Sequence, residues 1–532
     1  MRRILILILI LIFQFAILFS EAKQNSATTD ENVHLPVGYT YLKFHDFRFN
    51  PEHPNFQKVW IALPLLFQKI NLPTDFDDLW QRAGNFEQDT WREARDFGEK
   101  LLYSSGNDAD KILLSGRLMT IILTLSITVA VFLWSKKLWG GFWAGIVAAI
   151  LFAFEPLILA HGNLTNTDIS VSLFFALSVW FLIKFFQNSS WKNTILLGVA
   201  LGLLQLSKYT AIIFYPFALA ALIYWLWVKH SDWKKEFKKV WLKIIVVLAI
   251  HWVVITLAYF PHIKMFYSPD YIKGLILVVK HAAGGHSSFL LGQFSNQGWW
   301  YYFPFAFLVK TSLITLILLA GMKILYLKKQ LKFNFEQVVI LIAIAIYFLS
   351  AISSKANLGA RHLLPIYPLI FVLLGFWGTG LSLKLKVKSE KLQLKIKNFI
   401  ILLLILFVLD SLAVFPHHLA YFNQLIGTEN GYKYLLDSNY DWGQELKRIA
   451  VYQRDVLFGE KVYLDYWWDG DLAPDYYGIN YERMTPEKKY ISGMVVIGAT
   501  SYMMPEYRWL REYPILDRIG NGVFVIDLRQ KI

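Results

Sequence analysis

The chain has 532 residues, of which 56% are hydrophobic and only 17% are charged, and its mean hydropathy is +0.40. Soluble globular chains are about one quarter charged, so this composition excludes an ordinary soluble domain and indicates a membrane protein. The formal net charge is +14, and the absence of Cys excludes disulfides, thiolate metal sites and a Cys nucleophile.

The first element is the apolar run 4–20, which follows Arg2-Arg3. It is about 17 residues long, which is near the lower limit for a membrane-spanning helix. It could be a cleaved signal peptide, because the small residues Ser20 and Ala22 follow, but its length favours a retained first helix. In either case Arg2-Arg3 stay in the cytoplasm and the next segment is extracytoplasmic.

Residues 21–112 are too polar to span a membrane and are predicted to form an extracytoplasmic loop. Two amphipathic stretches in this loop, 56–70 and 87–102, are predicted to be helices that lie in the membrane interface. The acid pair Asp30-Glu31 follows the first helix closely. Ionisable groups near lipid are costly, so this pair needs a reason to be there.

Apolar runs then alternate with short polar breaks as far as residue 415. With the first helix they give about eleven predicted transmembrane helices. The later predicted spans are 115–134, 140–160, 169–186, 194–207, 209–228, 242–260, 302–322, 336–353, 363–381 and 398–415. Lysines concentrate in alternate loops, for example Lys137, Lys235, Lys329 and Lys395. The positive-inside rule assigns these loops to the cytoplasm and explains the net charge better than nucleic-acid binding does.

The C-terminal residues 416–532 are polar and contain no run long enough to span. Short β-prone stretches at 461–466, 494–497 and 522–528 predict strands. An odd number of spans assigns this tail to the extracytoplasmic side, which it shares with the loop 21–112. The sequence therefore predicts an α-helical polytopic membrane domain over 1–415 and a small extracytoplasmic α/β domain over 416–532.

Ionisable residues stand beside several breaks that this topology assigns to the outside. Asp168 precedes a span, Lys208 separates two spans, and Arg361 precedes another. Simpler interpretations exist, since Asp168 could cap a helix and the two cations could reach lipid headgroups. His53 could be a polar interface residue. Lys310 lies inside a predicted span, where an ammonium group needs a partner or a water-filled cavity.

Together these residues favour group transfer from a lipid phosphate to an external acceptor. A carboxylate can act as a general base, and Arg and Lys can hold a phosphate at the headgroup level. A membrane transporter and a non-catalytic envelope polymer-assembly subunit are the alternatives. A transporter would favour repeat symmetry and a midplane site, and a scaffold would need no set of acids and cations.

A series of short motifs runs along nearly the whole chain. They are Asp30-Glu31, Asn50-Pro51-Glu52-His53-Pro54 with Lys58, Thr167-Asp168, Leu206-Ser207-Lys208-Tyr209-Thr210, Leu291-Gly292, Gly298-Trp299-Trp300-Tyr301-Tyr302-Phe303-Pro304 with Lys310, Gly359-Ala360-Arg361-His362-Leu363-Leu364-Pro365, and Asn423 with Asp437-Ser438-Asn439-Tyr440-Asp441-Trp442-Gly443-Gln444. These motifs resemble family 39 of the glycosyltransferases, the protein O-mannosyltransferase-like enzymes of the GT-C superfamily. The family's first luminal loop usually reads Asp-Glu and then His-Pro-Pro-Leu-x-Lys. Here Asn55 and Phe56 replace the second Pro and the Leu.

The resemblance implies inverting transfer of a monosaccharide from a polyprenyl-phosphate-linked sugar to a protein, lipid or envelope glycan. It implies a multi-pass protein of the inner or plasma membrane with its site on the extracytoplasmic face. No bound metal or other cofactor is expected, although a divalent metal stays open because other branches of the superfamily need one. Asp30 is the implied general base, and its neighbour Glu31 is the second catalytic candidate, which orients the acceptor or the loop. The implied donor-phosphate and substrate contacts are His53, Lys58, Asp168, Lys208 and Arg361.

Overall fold

The computed structural model describes residues 2–83, 90–229, 232–264, 267–381, 390–467, 472–489 and 491–529. Within these ranges the chain is mostly helical, and its larger sheet lies near the C-terminus. The predicted fold class, an α-helical membrane protein with a small α/β tail, is therefore confirmed.

The loop predicted over 21–112 is largely helical. Helices α3 (Asn55–Ala62) and α5 (Thr90–Tyr103) confirm helical structure in the two predicted amphipathic stretches, although residues 87–89 of the second lie outside the described residues. A 3-10 helix, Leu63–Phe67, continues α3. The helices of this part are α1 (Arg2–Gln24), α2 (Thr29–Phe44), α3 (Asn55–Ala62), α4 (Phe76–Ala83) and α5 (Thr90–Tyr103).

Helix α2 begins with a capping box between Thr28 and Glu31. The backbone N–H of Thr28 donates to Glu31 Oε2 at 3.0 Å, which satisfies one of the free donors at the helix start. Helix α2 is mostly buried because α3 and α5 pack against it. A Cβ atom at Gly98 of α5 would lie 1.7 Å from the carbonyl oxygen of Asn32, so only glycine permits this approach. The start of α2 is therefore fixed inside the protein.

The middle of the chain is built from apolar helices and one short hairpin, β1 (Ser288–Leu290) with β2 (Gln293–Ser295). The 3-10 helices Tyr209–Ile213 and Ala360–Ile366 lead into α11 (Phe214–Val228) and α17 (Tyr367–Leu374). The helices are α6 (Ala109–Leu138), α7 (Phe142–Phe154), α8 (Pro156–His161), α9 (Asp168–Gln187), α10 (Trp191–Ser207), α11 (Phe214–Val228), α12 (Trp233–Ala258), α13 (Pro269–Gly284), α14 (Tyr302–Lys310), α15 (Leu313–Leu327), α16 (Phe335–Ile352), α17 (Tyr367–Leu374), α18 (Gly378–Leu381) and α19 (Glu390–Ala413).

Eight helices among the described residues are long and apolar enough to cross a membrane, or nine if one bent pair counts as a single span. The predicted count of eleven is therefore not confirmed. The predicted span 140–160 is broken because Pro156 lacks a backbone N–H and starts the new helix α8. The predicted span 302–322 bends by 108° between α14 and α15. The predicted span 194–207 corresponds to α10, which has only 17 residues.

The tail, residues 416–532, carries a five-stranded mixed sheet of order β4-β3-β5-β7-β6. Strands β3, β4 and β5 are parallel, and β6 and β7 are antiparallel additions. Strands β3, β5 and β7 confirm the three strands predicted from the sequence. The elements are α20 (Leu446–Asp455), β3 (Val462–Asp465), α21 (Leu472–Tyr476), β4 (Tyr481–Arg483), β5 (Met494–Gly498), α22 (Ala499–Met503), β6 (Ile515–Ile519) and β7 (Val523–Asp527).

Candidate active site

A polar cavity of about 250 Å³ opens where the start of α2 meets the end of α10, the 3-10 helix Ala360–Ile366 and the tail. Its wall combines carboxylates, cations, imidazoles and indoles, and such convergence of polar groups in a concave site is typical of ligand pockets. The lining residues are Thr29, Asp30, Glu52, His53, Trp91, Lys208, His281, His286, Leu358, Arg361, His362, Asp437, Trp442 and Trp467.

Four predicted site residues form one ionic network, of which Asp30, Lys208 and Arg361 line this cavity and Asp168 lies behind the two cations. Arg361 Nη1 lies 3.0 Å from Asp30 Oδ2 and 3.3 Å from Asp168 Oδ2. Lys208 Nζ lies 2.7 Å from Asp168 Oδ1. Asp168 thus bridges the two cations, and Arg361 bridges the two acids. Because four separate stretches of sequence meet here, the network is a product of the tertiary fold.

The local structure explains how these side chains reach one point. Asp168 is the first residue of α9, Lys208 directly follows α10, and Arg361 lies in the 3-10 helix that precedes α17. Each of the three side chains is at most 10% exposed and pairs inside the protein. The simpler interpretations, a helix cap for Asp168 and headgroup contacts for the two cations, therefore do not describe these contacts.

The environment of Asp30 suits a proton acceptor. Burial raises the pKa of the Asp30 carboxyl above its usual value, and the nearby Arg361 guanidinium partly opposes this rise. The side chain is 12% exposed and faces the cavity. A carboxylate with a raised pKa is a stronger base than one in water, and it is reachable here from the cavity.

Glu31, the second catalytic candidate, points away from the cavity. Its carboxylate pairs with Arg117 of α6, with Nη2 at 2.6 Å from Oε2 and Nε at 2.9 Å from Oε1. The backbone N–H of Thr165 also donates to Oε1 at 3.0 Å. Burial favours the neutral acid, but the Arg117 pair and the hydrogen bonds outweigh it and lower the pKa of Glu31. Glu31 therefore has the environment of a permanently ionised anchor.

Lys58 does not line the cavity, whereas His53 does. Lys58 Nζ donates to the hydroxyl of Tyr41 at 3.2 Å, to the carbonyl of His53 at 2.9 Å and to the carbonyl of Asn50. Burial lowers the pKa of both Lys58 and His53 well below their usual values. The His53 ring packs edge-on against the His34 ring, with 4.9 Å between the two ring centres. Lys58 thus holds the loop that carries His53.

Lys310 finds its partners in the tail. Its Nζ donates to the carbonyl of Asn439 at 2.6 Å and to the carbonyl of Leu419 at 2.9 Å, and it stands 4.6 Å from the centre of the Phe422 ring. These contacts supply the partners that a buried ammonium group needs. They also attach the end of α14 to the tail.

Several residues of the site were not among the predicted site residues. Glu52 Oε2 lies 3.1 Å from Nδ1 of His281, at the rim of the cavity, and Trp91 of α5 completes this side. Arg117 is the partner of Glu31, although it lies in a predicted span. An ionisable residue inside an apolar helix is a functional candidate by default, so Arg117 could have been found in the sequence.

Among the described residues, no three His, Asp or Glu side chains are arranged to hold a metal ion. The carboxylate of Glu52 instead pairs with the single imidazole of His281.

Comparison with known proteins agrees with this architecture. Residues 109–259 match the model of the family described as dolichyl-phosphate-mannose-protein mannosyltransferase. This segment includes Arg117, Asp168 and Lys208. No curated protein sequence matches the chain significantly.

Two solved structures are similar over nearly the whole chain. The apo oligosaccharyltransferase of Archaeoglobus fulgidus shares 11% identity, covers 95% of this chain and 71% of its own length, and has a TM-score of 0.52. ArnT from Cupriavidus metallidurans bound to undecaprenyl phosphate shares 11% identity, covers 98% of this chain and 97% of its own length, and has a TM-score of 0.49. The family match and the oligosaccharyltransferase fold confirm the resemblance to the GT-C glycosyltransferases.

Proposed function

We propose that this chain is a membrane glycosyltransferase that moves a monosaccharide from a polyprenyl phosphate to a hydroxyl group of a protein, lipid or envelope glycan. The main support for this proposal is the ionic network of Asp30, Asp168, Lys208 and Arg361 beside one polar cavity. It combines two buried carboxylates with two cations, and transfer from a phosphate-linked sugar requires a base and a cationic phosphate contact.

In the proposed reaction, Asp30 removes the proton of the acceptor hydroxyl while the acceptor oxygen attacks the anomeric carbon. The bond between that carbon and the phosphate oxygen breaks, and the lipid phosphate leaves with the electron pair. The new bond forms on the face opposite the leaving phosphate, so the configuration of the sugar inverts. The raised pKa of Asp30 and its exposure to the cavity support its role as the base.

Arg361 and Lys208 are the proposed contacts to the donor phosphate. Among the described residues, no hydrogen bond engages Nη2 of Arg361, so this atom is available to a phosphate oxygen. Arg can bind a phosphate with two parallel N–H donors, and the charge of Lys208 adds to the attraction. In this role Asp168 holds the two cations beside each other.

The remaining predicted residues receive supporting roles. Glu31 anchors the start of α2 to α6 through Arg117. Lys58 holds the carbonyls of Asn50 and His53, and His53 presents a neutral ring to the cavity. The membrane domain over 1–415 and the tail over 416–532 share the cavity, which we assign to the extracytoplasmic face because of the lysine distribution.

The test is transfer from a panel of radiolabelled polyprenyl-phosphate sugars in membranes that contain the full chain. We expect label to move to an acceptor with wild type, and this transfer to be strongly reduced but not abolished with Arg361→Ala, because one phosphate contact is removed and Lys208 remains. Arg454→Ala is the matched control, since Arg454 is exposed in the tail and should behave as wild type. A transporter or scaffold would leave the label on the lipid with every donor, which would overturn the proposal.

A further inference from the structure

We infer that the tail segment 437–444 is a positioning element of the donor site, in which Trp442 and Ser438 fix the guanidinium of Arg361. The inference rests on the proposed function, because it takes Arg361 as the phosphate contact. It assigns the tail a direct part in donor binding.

Trp442 and Ser438 hold Arg361 from two directions. The guanidinium carbon of Arg361 stands 4.2 Å from the centre of the Trp442 ring. Nε of Arg361 donates to Ser438 Oγ at 3.2 Å, and Ser438 Oγ donates to the carbonyl of Leu358 at 2.7 Å. Trp442 is 2% exposed and Ser438 is 1% exposed, so water does not compete for either contact. The ring face and the hydroxyl together set the plane and the direction of the guanidinium.

The backbone around Arg361 is fitted to the same segment. The N–H of Ala360 donates to Asn439 Oδ1 at 2.8 Å. Gly359 has a φ of +115°, and a Cβ atom on it would lie 2.5 Å from Ser438 Oγ. Only glycine allows the chain to turn there and leave room for the hydroxyl. Ser438 therefore contacts both the side chain of Arg361 and the turn that precedes it.

The segment also holds the helix start that carries the proposed base. The N–H of Thr29 donates to the carbonyl of Trp442 at 3.1 Å, and the N–H of Ser26 donates to the carbonyl of Gln444 at 3.0 Å. Ser26 Oγ in turn donates to the carbonyl of Gly443 at 3.1 Å. One tail segment thus fixes Arg361 and the residue next to Asp30, so it sets the spacing between the proposed phosphate contact and the proposed base.

Fixing the guanidinium of Arg361 should favour binding of the donor phosphate. Arg361 Nη1 is shared between two carboxylates, so rotation of the planar group would turn Nη2 away from the donor. A site whose groups are held before the ligand arrives loses less freedom on binding and therefore binds more tightly. The stacked indole adds attraction for a cation that is removed from water.

The experiment measures binding of undecaprenyl phosphate alone to the purified full chain. We expect Trp442→Leu to weaken binding about ten-fold, since a desolvated cation–π contact and the fixed plane are lost. Trp442→Phe keeps a ring face and should stay within about three-fold of wild type. Ser438→Ala loses one hydrogen bond to a charged group and should weaken binding about five-fold. The matched controls are Trp509→Leu and Ser501→Ala, two tail residues that do not line the cavity.

Double-mutant cycles with Arg361→Ala separate positioning from general support of the fold. If Trp442 and Ser438 act through Arg361, each substitution adds no further loss once Arg361 is Ala. A merely structural role would give the same loss in both backgrounds, and this result would overturn the inference. If Trp442→Leu does not yield folded protein, the Ser438→Ala cycle decides.

A wild type that neither binds undecaprenyl phosphate nor transfers sugar overturns the proposed function, and the inference with it. A different outcome overturns the inference alone. In that outcome wild type binds undecaprenyl phosphate and Arg361→Ala weakens this binding, but Trp442→Leu and Ser438→Ala do not change it.

Discussion

Asp30 and Glu31 are neighbours in the chain, yet their two arginine pairs differ in kind. Glu31 and Arg117 are both fully buried, and their hydrogen-bonding groups are occupied by each other and by the chain around them. Asp30 and Arg361 form a single contact at the wall of a cavity, and Arg361 shares it with Asp168. A closed pair can only support the fold, whereas an open pair can exchange partners with a ligand.

The pKa shifts of the two carboxyls follow this difference. The pKa of Glu31 is lowered because Arg117 and several N–H donors outweigh burial, and the pKa of Asp30 is raised because burial outweighs Arg361. Of two adjacent acids, the one with the poorer set of partners is therefore the better base. The predictions below test this contrast.

The largest expected effect is on Asp30. Asp30→Asn keeps the size of the side chain and removes the base, so we expect kcat to fall by about 10²–10⁴-fold. Undecaprenyl phosphate should still bind, and the thermal midpoint should stay close to that of wild type. Asp455→Asn, at an exposed position of the tail, is the control. Normal turnover in Asp30→Asn would remove Asp30 as the base.

The closed pair should respond in stability and not in chemistry. Glu31→Ala leaves the Arg117 guanidinium buried without its carboxylate, which we expect to cost about 3–5 kcal/mol of folding stability. The yield of monodisperse protein and its thermal midpoint measure this loss. The double variant Glu31→Gln with Arg117→Met removes both charges and should recover part of it. A stable but inactive Glu31→Ala would reverse the roles of the two acids.

The sequence predicted the secondary-structure elements better than it predicted how they pack together. Apolar runs, the lysine distribution and β-prone stretches depend on local composition, so the helical membrane part and strands β3, β5 and β7 could be read directly. The number of spans could not be predicted in this way, because hydropathy does not register the break at Pro156 or the sharp bend between α14 and α15. Chain direction at a break depends on packing, which no sequence window contains.

The same limit applies to the site. The sequence indicated Asp30, Asp168, Lys208 and Arg361 because charges beside apolar runs are costly. It could not distinguish the orientation of Asp30 from that of Glu31, since adjacent residues on a helix point in different directions and only the packing of α6 decides which one meets Arg117. The contact of Arg361 with Trp442 joins residues that lie far apart in the chain.

Asp441 of the tail is a further buried carboxylate, and its hydrogen-bond donors are neutral groups. It accepts hydrogen bonds from the Tyr466 hydroxyl at 2.6 Å and from the N–H of Gly443 at 3.3 Å. Among the described residues it forms no ion pair with Lys or Arg, and burial raises its pKa to about 8. The folded state therefore binds a proton between about pH 4 and 8 that the unfolded state releases.

Stability should thus be greatest at low pH for this group and should be lost as the pH rises through about 8. The expected slope is about 1.4 kcal/mol per pH unit within that window. Asp441→Asn should flatten the dependence of the thermal midpoint on pH, whereas Asp455→Asn should not change it. An unchanged pH dependence in Asp441→Asn would mean that Asp441 is ionised in the folded protein.

The smallest expected effect concerns the exchange of partners at Arg361. In the free protein the Arg361 guanidinium partly opposes the rise that burial causes in the pKa of Asp30. When a donor phosphate binds Arg361, its negative charge offsets that influence, so the pKa of Asp30 should rise. Activity requires ionised Asp30, and the acid limb of kcat should therefore lie at higher pH than the acid limb of kcat/KM for the donor. In Arg361→Ala the two limbs should coincide, because the cation that links Asp30 to the phosphate is gone. Coinciding limbs in wild type would mean that the donor phosphate leaves the Asp30–Arg361 pair intact.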